Sequence, residues 1–154
     1  MATPEQRLEE LGIALPEPVR PVAAYVPTVR SGNMVYVSGQ VPVVDGKAAF
    51  TGRLGAGGLS LEDGVQAARR CAINVLAALK AELGQLSRVR RLVKVTGFVA
   101  SEPDFVDQPK VINGASELFI EVFGEAGRHA RSAVGLAALP MGVPVEVEAV
   151  VEVD

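Results

Sequence analysis

Arg131 and Glu146 are the two side chains of this chain best suited to act together on a small acid. A planar guanidinium grips a planar carboxylate with two parallel hydrogen bonds. A carboxylic acid gives or takes a proton. An anion clamp beside a proton-transfer group suits chemistry on an acidic metabolite. Each residue also has a plainer reading. An arginine opening a strand is ordinarily a surface residue, and Glu146 is one of four acids, with Glu148, Glu152 and Asp154, on one face of an alternating run. His129 is the single histidine and the only side chain whose ordinary pKa lies near neutrality, yet beside a strand it reads first as a solvated loop residue. Cys71, the single cysteine, borders an apolar helical stripe and reads as a buried thiol rather than a nucleophile.

The totals narrow the function classes. At 154 residues the chain is expected to form one domain, residues 1–154, with residues 1–21 an N-terminal helix and connector. The net charge of −3 gives no nucleic-acid footprint, and the one basic run, Arg88-Val89-Arg90-Arg91, reads as a solvated connector. One cysteine excludes an internal disulfide. One histidine and one cysteine argue against a zinc site within a subunit, so no metal is expected. Neither a signal peptide nor a membrane-spanning run is visible, so the expectation is a cytoplasmic protein without a membrane partner.

The elements that must position these residues follow from patterning. Thr3 and Pro4 start a short helix that stops at Gly12. A proline-punctuated connection runs from Ala14 to Pro21. Val22 to Val29 and Met34 to Val37 read as strands around Arg30-Ser31-Gly32-Asn33, and Val41 to Val44 and Ala48 to Phe50 flank an Asp45-Gly46 turn. Gly55 to Gly58 lacks the lysine of a phosphate cradle and reads as a connector. Ser60 caps a long helix whose stripe is Leu61, Val65, Ala68, Ala72, Val75, Leu76, Leu79 and Leu83, with Gly84 as its stop. Leu92 to Val99 is a strand. Asp104 to Phe123 reads as a second long helix cut or kinked at Pro109, with Val111, Ala115, Leu118, Phe119 and Val122 as its stripe. Two strands follow around a Leu-Pro-Met-Gly-Val-Pro break. In the last, Val145, Val147, Ala149, Val151 and Val153 share one face and the acids share the other with Val150. The fold class expected is α+β: a mixed β-sheet with two long helices on one face.

Three ordered segments carry a resemblance. The first is Tyr25 and Ser31-Gly32-Asn33 through Ser38-Gly39-Gln40-Val41-Pro42. The second is Gln66, Ala67, Cys71 and Asn74, followed by Val93 to Val99. The third is Ala130-Arg131-Ser132, Leu139-Pro140 and Val145 to Ala149. Together they closely resemble the RidA/YjgF family of reactive-intermediate (enamine/imine) deaminases, also named for an endoribonuclease. That resemblance implies a chorismate-mutase-like trimeric barrel, with sheets inside, helices outside and pockets between subunits. It implies that Arg131 holds a substrate carboxylate and that Glu146 stands near a bound water. Ser38 and Gly39 would contact the amino or imino end, Tyr25 would line the pocket, and Asn113 falls near a pocket asparagine. Ala133 stands where many members carry cysteine, and His129 where proline is common.

The activity so implied is hydrolysis of 2-aminoacrylate or 2-imino acids to 2-keto acids and ammonia, with no cofactor. The partners expected are a carboxylate-bearing small molecule and two further copies of the chain. The alternative is a non-catalytic trimer that binds a keto acid or amino-acid derivative; a proton-transfer group at 146 favours catalysis. Chorismate mutase, with the same fold, ranks last because it needs several cations around a dicarboxylate.

Overall fold

Valine or alanine at every second position from 145 onward gives the final strand one face to bury, and the sheet is built around it. The computed structural model describes residues 1–21 and 23–154. In chain order its elements are α1 Pro4–Glu10, β1 Thr28–Ser31, β2 Met34–Gln40, β3 Val43–Val44, β4 Lys47–Ala48, α2 Leu61–Leu83, β5 Val89–Ala100, α3 Gln108–Phe123, β6 Ala130–Leu136 and β7 Val145–Val153. The main sheet runs β1-β2-β7-β5-β6, and β3 and β4 form a separate hairpin. Only β5 and β6 pair in parallel, as strands joined by a crossover helix must. Alternate residues of β7 (Val145, Val147, Ala149, Val151 and Val153) are buried with Val35, Val37, Leu92, Val95 and Val99 beneath α2 and α3. The mixed sheet with both long helices on one face is therefore the observed architecture. No helix among the described residues is long and apolar enough to cross a membrane.

Local chemistry explains the boundaries. The Ser60 hydroxyl accepts from Asp63 N at 3.1 Å, and the Asp63 carboxylate accepts from Ser60 N at 3.2 Å, a reciprocal cap that starts α2. Thr3 and Gln6 do the same for α1. Leu8 is buried, and the Glu5 carboxylate accepts from Leu86 N at 2.6 Å, so the N-terminal helix is tied to the body. Asp45 and Gly46 both have positive φ (52° and 79°), the conformation a two-residue hairpin turn demands.

Four sequence expectations need correction. The Val22–Val29 run supplies a strand only from Thr28, because Pro27 has no N–H for the ladder; Val22 lies outside the described residues. The helix expected from Asp104 begins at Gln108, with Pro109 in its first turn, where a missing N–H costs nothing. The basic run is not a connector, since β5 starts at Val89 and Arg88 Nε donates to Asp154 Oδ1 at 2.9 Å. The strands flanking Asp45-Gly46 are two residues each: the first keeps only Val43–Val44, and the second lies at Lys47–Ala48 rather than Ala48 to Phe50.

The two helices meet at Gly114, where a Cβ would overlap the Val65 carbonyl oxygen and lie 3.0 Å from its carbon. Gly114→Ala is expected to force α2 and α3 apart and destabilise the fold by about 1–3 kcal/mol. Urea denaturation monitored by circular dichroism measures this.

Candidate functional site

Glu146 emerges on the face of β7 away from the helices, opposite Phe98 in the register. It is half-buried, and its carboxyl is pushed above the ordinary value, first by burial and second by the neighbouring Glu148 charge. Its seat is a backbone irregularity. The pairing of β2 with β7 shifts register between Val37 and Gln40, and the chain at Gly39 passes directly under the carboxylate. A Cβ on Gly39 would overlap Glu146 Oε2 and lie 2.9 Å from its carboxyl carbon, so only glycine leaves the seat open.

The same stretch builds the wall of a cavity of about 1000 Å³. Ser38 Oγ donates to Val26 O at 2.7 Å, and Gln40 Nε2 donates to Ser38 O at 3.2 Å. Tyr25, Ser38, Gly39 and Glu146 all line this cavity. Residues not foreseen line it too: Pro16 to Pro21 of the N-terminal connector, Arg70 and Asn74 of α2, and Met141. Met141 is held at φ 61°, a conformation non-glycine residues rarely adopt.

Because Glu146 carries a raised pKa, its neutral form is favoured by the fold. Its contribution to stability is present at low pH and is lost as pH rises through its folded-state value. Glu148→Gln is expected to move the titration of Glu146 down, though not to the ordinary value, because burial remains. Carboxyl ¹³C NMR of the two proteins checks the direction.

Arg131 is built differently. Its Nη1 donates to Asn113 Oδ1 at 2.8 Å and to Ser116 Oγ at 3.2 Å, and its Nη2 donates to Pro109 O at 3.3 Å. All three acceptors are neutral groups of α3. Among the described residues no carboxylate pairs with it. The guanidinium is thus oriented without being neutralised, as an anion site requires.

Ser116 continues the network, with its Oγ 2.9 Å from His129 Nε2, while His129 Nδ1 lies 2.6 Å from Gly127 O. A carbonyl only accepts, so Nδ1 carries the proton and the Ser116 hydroxyl donates to Nε2. The ring also stands edge-on to Phe119, with centroids 6.1 Å apart. Burial lowers the His129 pKa, the Gly127 bond opposes this, and the Arg131 charge lowers it further. This stabilising contribution is full above the ordinary 6.5 and fades as pH falls toward the lowered value. His129 is therefore neither a solvated loop residue nor a free base; it supports Ser116 behind Arg131. Ser116 was missed, although its place one turn after Asn113 on α3 is a readable signal.

Arg131 pairs with Val95 across the parallel ladder, and Val95 faces the helices. Glu146 faces the other way. Two strand spacings and three residues along the strand separate their Cα atoms by roughly 14 Å. Within one protomer the two groups therefore lie on opposite faces of the sheet, and Arg131, Asn113 and Ala133 take no part in the cavity of Glu146. Ala133, two residues after Arg131, packs against the core. Cys71 donates to Val145 O at 3.5 Å, and burial, then the Glu146 charge, raises its thiol pKa, which leaves it inert.

Comparison with known proteins bears on this arrangement. The family described as "YjgF/chorismate_mutase-like, putative endoribonuclease" matches residues 5–151. The chain is 50% identical to Protein TCP17 of Trypanosoma cruzi over 148 residues, 96% of this chain and 92% of that protein. It is 31% identical to a 2-iminobutanoate/2-iminopropanoate deaminase of Dermatophagoides farinae, with 92% and 95% covered. Among solved structures, the protein Atu1372 of Agrobacterium tumefaciens, of unknown function, superposes with a TM-score of 0.91 at 52% identity, covering 99% of this chain and 94% of that one.

Proposed function

Since the chain belongs to the RidA/YjgF family, we propose that it hydrolyses 2-imino acids, and the 2-aminoacrylate enamines that tautomerise to them, to 2-keto acids and ammonia. The reaction takes place between two protomers of a homotrimer. The observation that carries this reading is the half-buried Glu146 carboxyl laid on the Gly39 backbone, with its proton affinity raised. A binding pocket alone has no use for such a group. A raised pKa keeps both protonation states populated closer to neutrality, where one group can serve as acid and base in turn.

Arg131 of one protomer grips the α-carboxylate with its Nε–H and the second N–H of Nη2, the donors that Asn113, Ser116 and Pro109 leave free among the described residues. Protonated Glu146 of the adjacent protomer delivers a proton to the enamine carbon, which gives the iminium. Water adds to the C=N carbon, and the Glu146 carboxylate takes up the proton released. Glu146 then passes that proton to the amino group, and as ammonia leaves the carbinolamine O–H proton returns to the Glu146 carboxylate, which yields the keto acid and restores the acid. Backbone groups at Ser38 and Gly39 lie against the reacting nitrogen. Such imines already hydrolyse in water, so positioning worth a few kcal/mol, on the order of a hundredfold in rate or more, suffices.

Two features support the shared site. Arg131 and Glu146 cannot meet within one protomer. Also, the sheet face away from the helices exposes Val29, Tyr36, Val134 and Leu136, apolar side chains that the sheet of a neighbouring protomer would cover. An RNA-cleaving role is disfavoured, because Glu17, Asp45, Glu146 and Glu148 outnumber Arg20 and Arg70 around the cavity, which gives no basic track for a phosphate backbone.

The test generates 2-iminobutanoate in situ with an amino-acid oxidase and follows imine decay with and without the protein. Decay faster than buffer supports the reading. Failure across several imino acids, with keto acids still bound, identifies a ligand-binding module instead.

A further inference from the structure

Arg70 stands one helical turn before Asn74 on α2, and both reach the cavity of Glu146. The Val43 carbonyl accepts from Arg70 Nε at 3.3 Å and from Asn74 Nδ2 at 3.2 Å. Asn74 Nδ2 also donates to Val41 O at 2.9 Å. The buried Asn74 amide thus pins residues 41–43, and the pinned carbonyl at 43 in turn fixes the plane of the guanidinium. This arrangement uses only the Nε–H of Arg70. Its two Nη groups bond to nothing among the described residues, and no carboxylate pairs with them.

A half-buried guanidinium with no counter-charge is costly, and structures seldom keep one without a use. The other charges around the cavity, Glu17, Arg20, Asp45 and Glu148, are exposed, where water screens them. Arg70 and Glu146 are the two half-buried charges of this wall.

We infer that Arg70 is a second anion grip, that it holds the distal carboxylate of a dicarboxylic substrate, and that the substrate class of this site is the 2-imino dicarboxylic acids. The inference rests on the imine-hydrolysis reading for its reaction but not for its binding. Arg131 takes the α-carboxylate, Glu146 and Gly39 face the C=N bond, and the side chain of the ligand extends toward α2. The two Nη groups lie in one fork, so a terminal carboxylate meets two donors at once, which an aliphatic end group cannot exploit.

Isothermal titration calorimetry compares 2-oxoglutarate with 2-oxopentanoate, which has the same chain length but lacks the distal carboxylate. The wild-type protein is expected to bind 2-oxoglutarate at least about tenfold more tightly. Arg70→Met and Arg70→Gln should reduce that preference to near parity. The matching kinetic comparison uses 2-iminoglutarate and 2-iminopentanoate, and there the preference should sit in KM. Equal binding of the two keto acids by the wild type, or a preference that survives both substitutions, overturns the inference even if imines are hydrolysed. A preference that Arg70 controls, in a protein that accelerates no imine, upholds the second grip and refutes the hydrolase.

Discussion

Arg131→Met is expected to lower kcat/KM for imine hydrolysis by roughly two orders of magnitude, about 3 kcal/mol, with little change in melting temperature. The size follows from what the guanidinium does. It is held by Asn113 Oδ1, Ser116 Oγ and Pro109 O, all neutral, so its charge is left for a ligand. Losing a bidentate, charge-assisted grip removes both binding energy and alignment. Stability changes little because Arg131 lies on an edge strand, is part-exposed, and Ser116 keeps His129 as a partner. A second readout comes from the single histidine. Removing the Arg131 charge, one of the causes lowering the His129 pKa, should raise it, and imidazole NMR signals follow that directly. An unchanged kcat/KM in a folded Arg131→Met protein would remove the anion clamp from the account.

Gly39→Ala is expected to cost about a hundredfold in activity or more while the protein melts almost as before. The added Cβ collides with the far end of the Glu146 side chain and not with backbone. A flexible carboxylate can swing out of its seat, so the fold tolerates the change. The chemistry does not, because a displaced acid–base group forfeits a factor of roughly 10² to 10⁴. Gly39 has no positive φ, so alanine brings no backbone strain to confuse the result. Gly114→Ala should do the reverse, since its Cβ meets the Val65 backbone, lowering stability before activity. A Gly39→Ala enzyme with full turnover would show that the seat of Glu146 is irrelevant.

The frame of the molecule was legible because its signals are local. Alternation from Val145 to Val153, the Ser60-to-Asp63 cap and the Asp45-Gly46 turn each name one structure. The orientation of Arg131 was half legible: the resemblance brings in Asn113, but a serine on a helix carries no signal by itself, and only packing sets Ser116 Oγ against the guanidinium. Arg70 was illegible because it follows Arg69 on a helix, where two adjacent arginines look like a solvated face. Only packing shows that Arg69 reaches Glu121 while Arg70 turns toward the cavity. The opposed faces of Arg131 and Glu146 were equally hidden. Spacing along the chain does not say that β5 inserts between β6 and β7, or which side each strand turns inward. Pro109 misled by its place: the same residue breaks a helix within it and starts one at its first turn.

The claim on which the mechanism turns is that one catalytic site takes its guanidinium from one subunit and its carboxylate from the next. Arg131→Met and Glu146→Gln proteins, each inactive alone, can be mixed and allowed to exchange subunits. Random assembly of trimers from equal amounts regenerates intact sites at about a quarter of all interfaces, so about a quarter of wild-type turnover should return. Proven subunit exchange with no recovered activity would mean that Arg131 and Glu146 do not complete one site across an interface, and the shared site would be wrong.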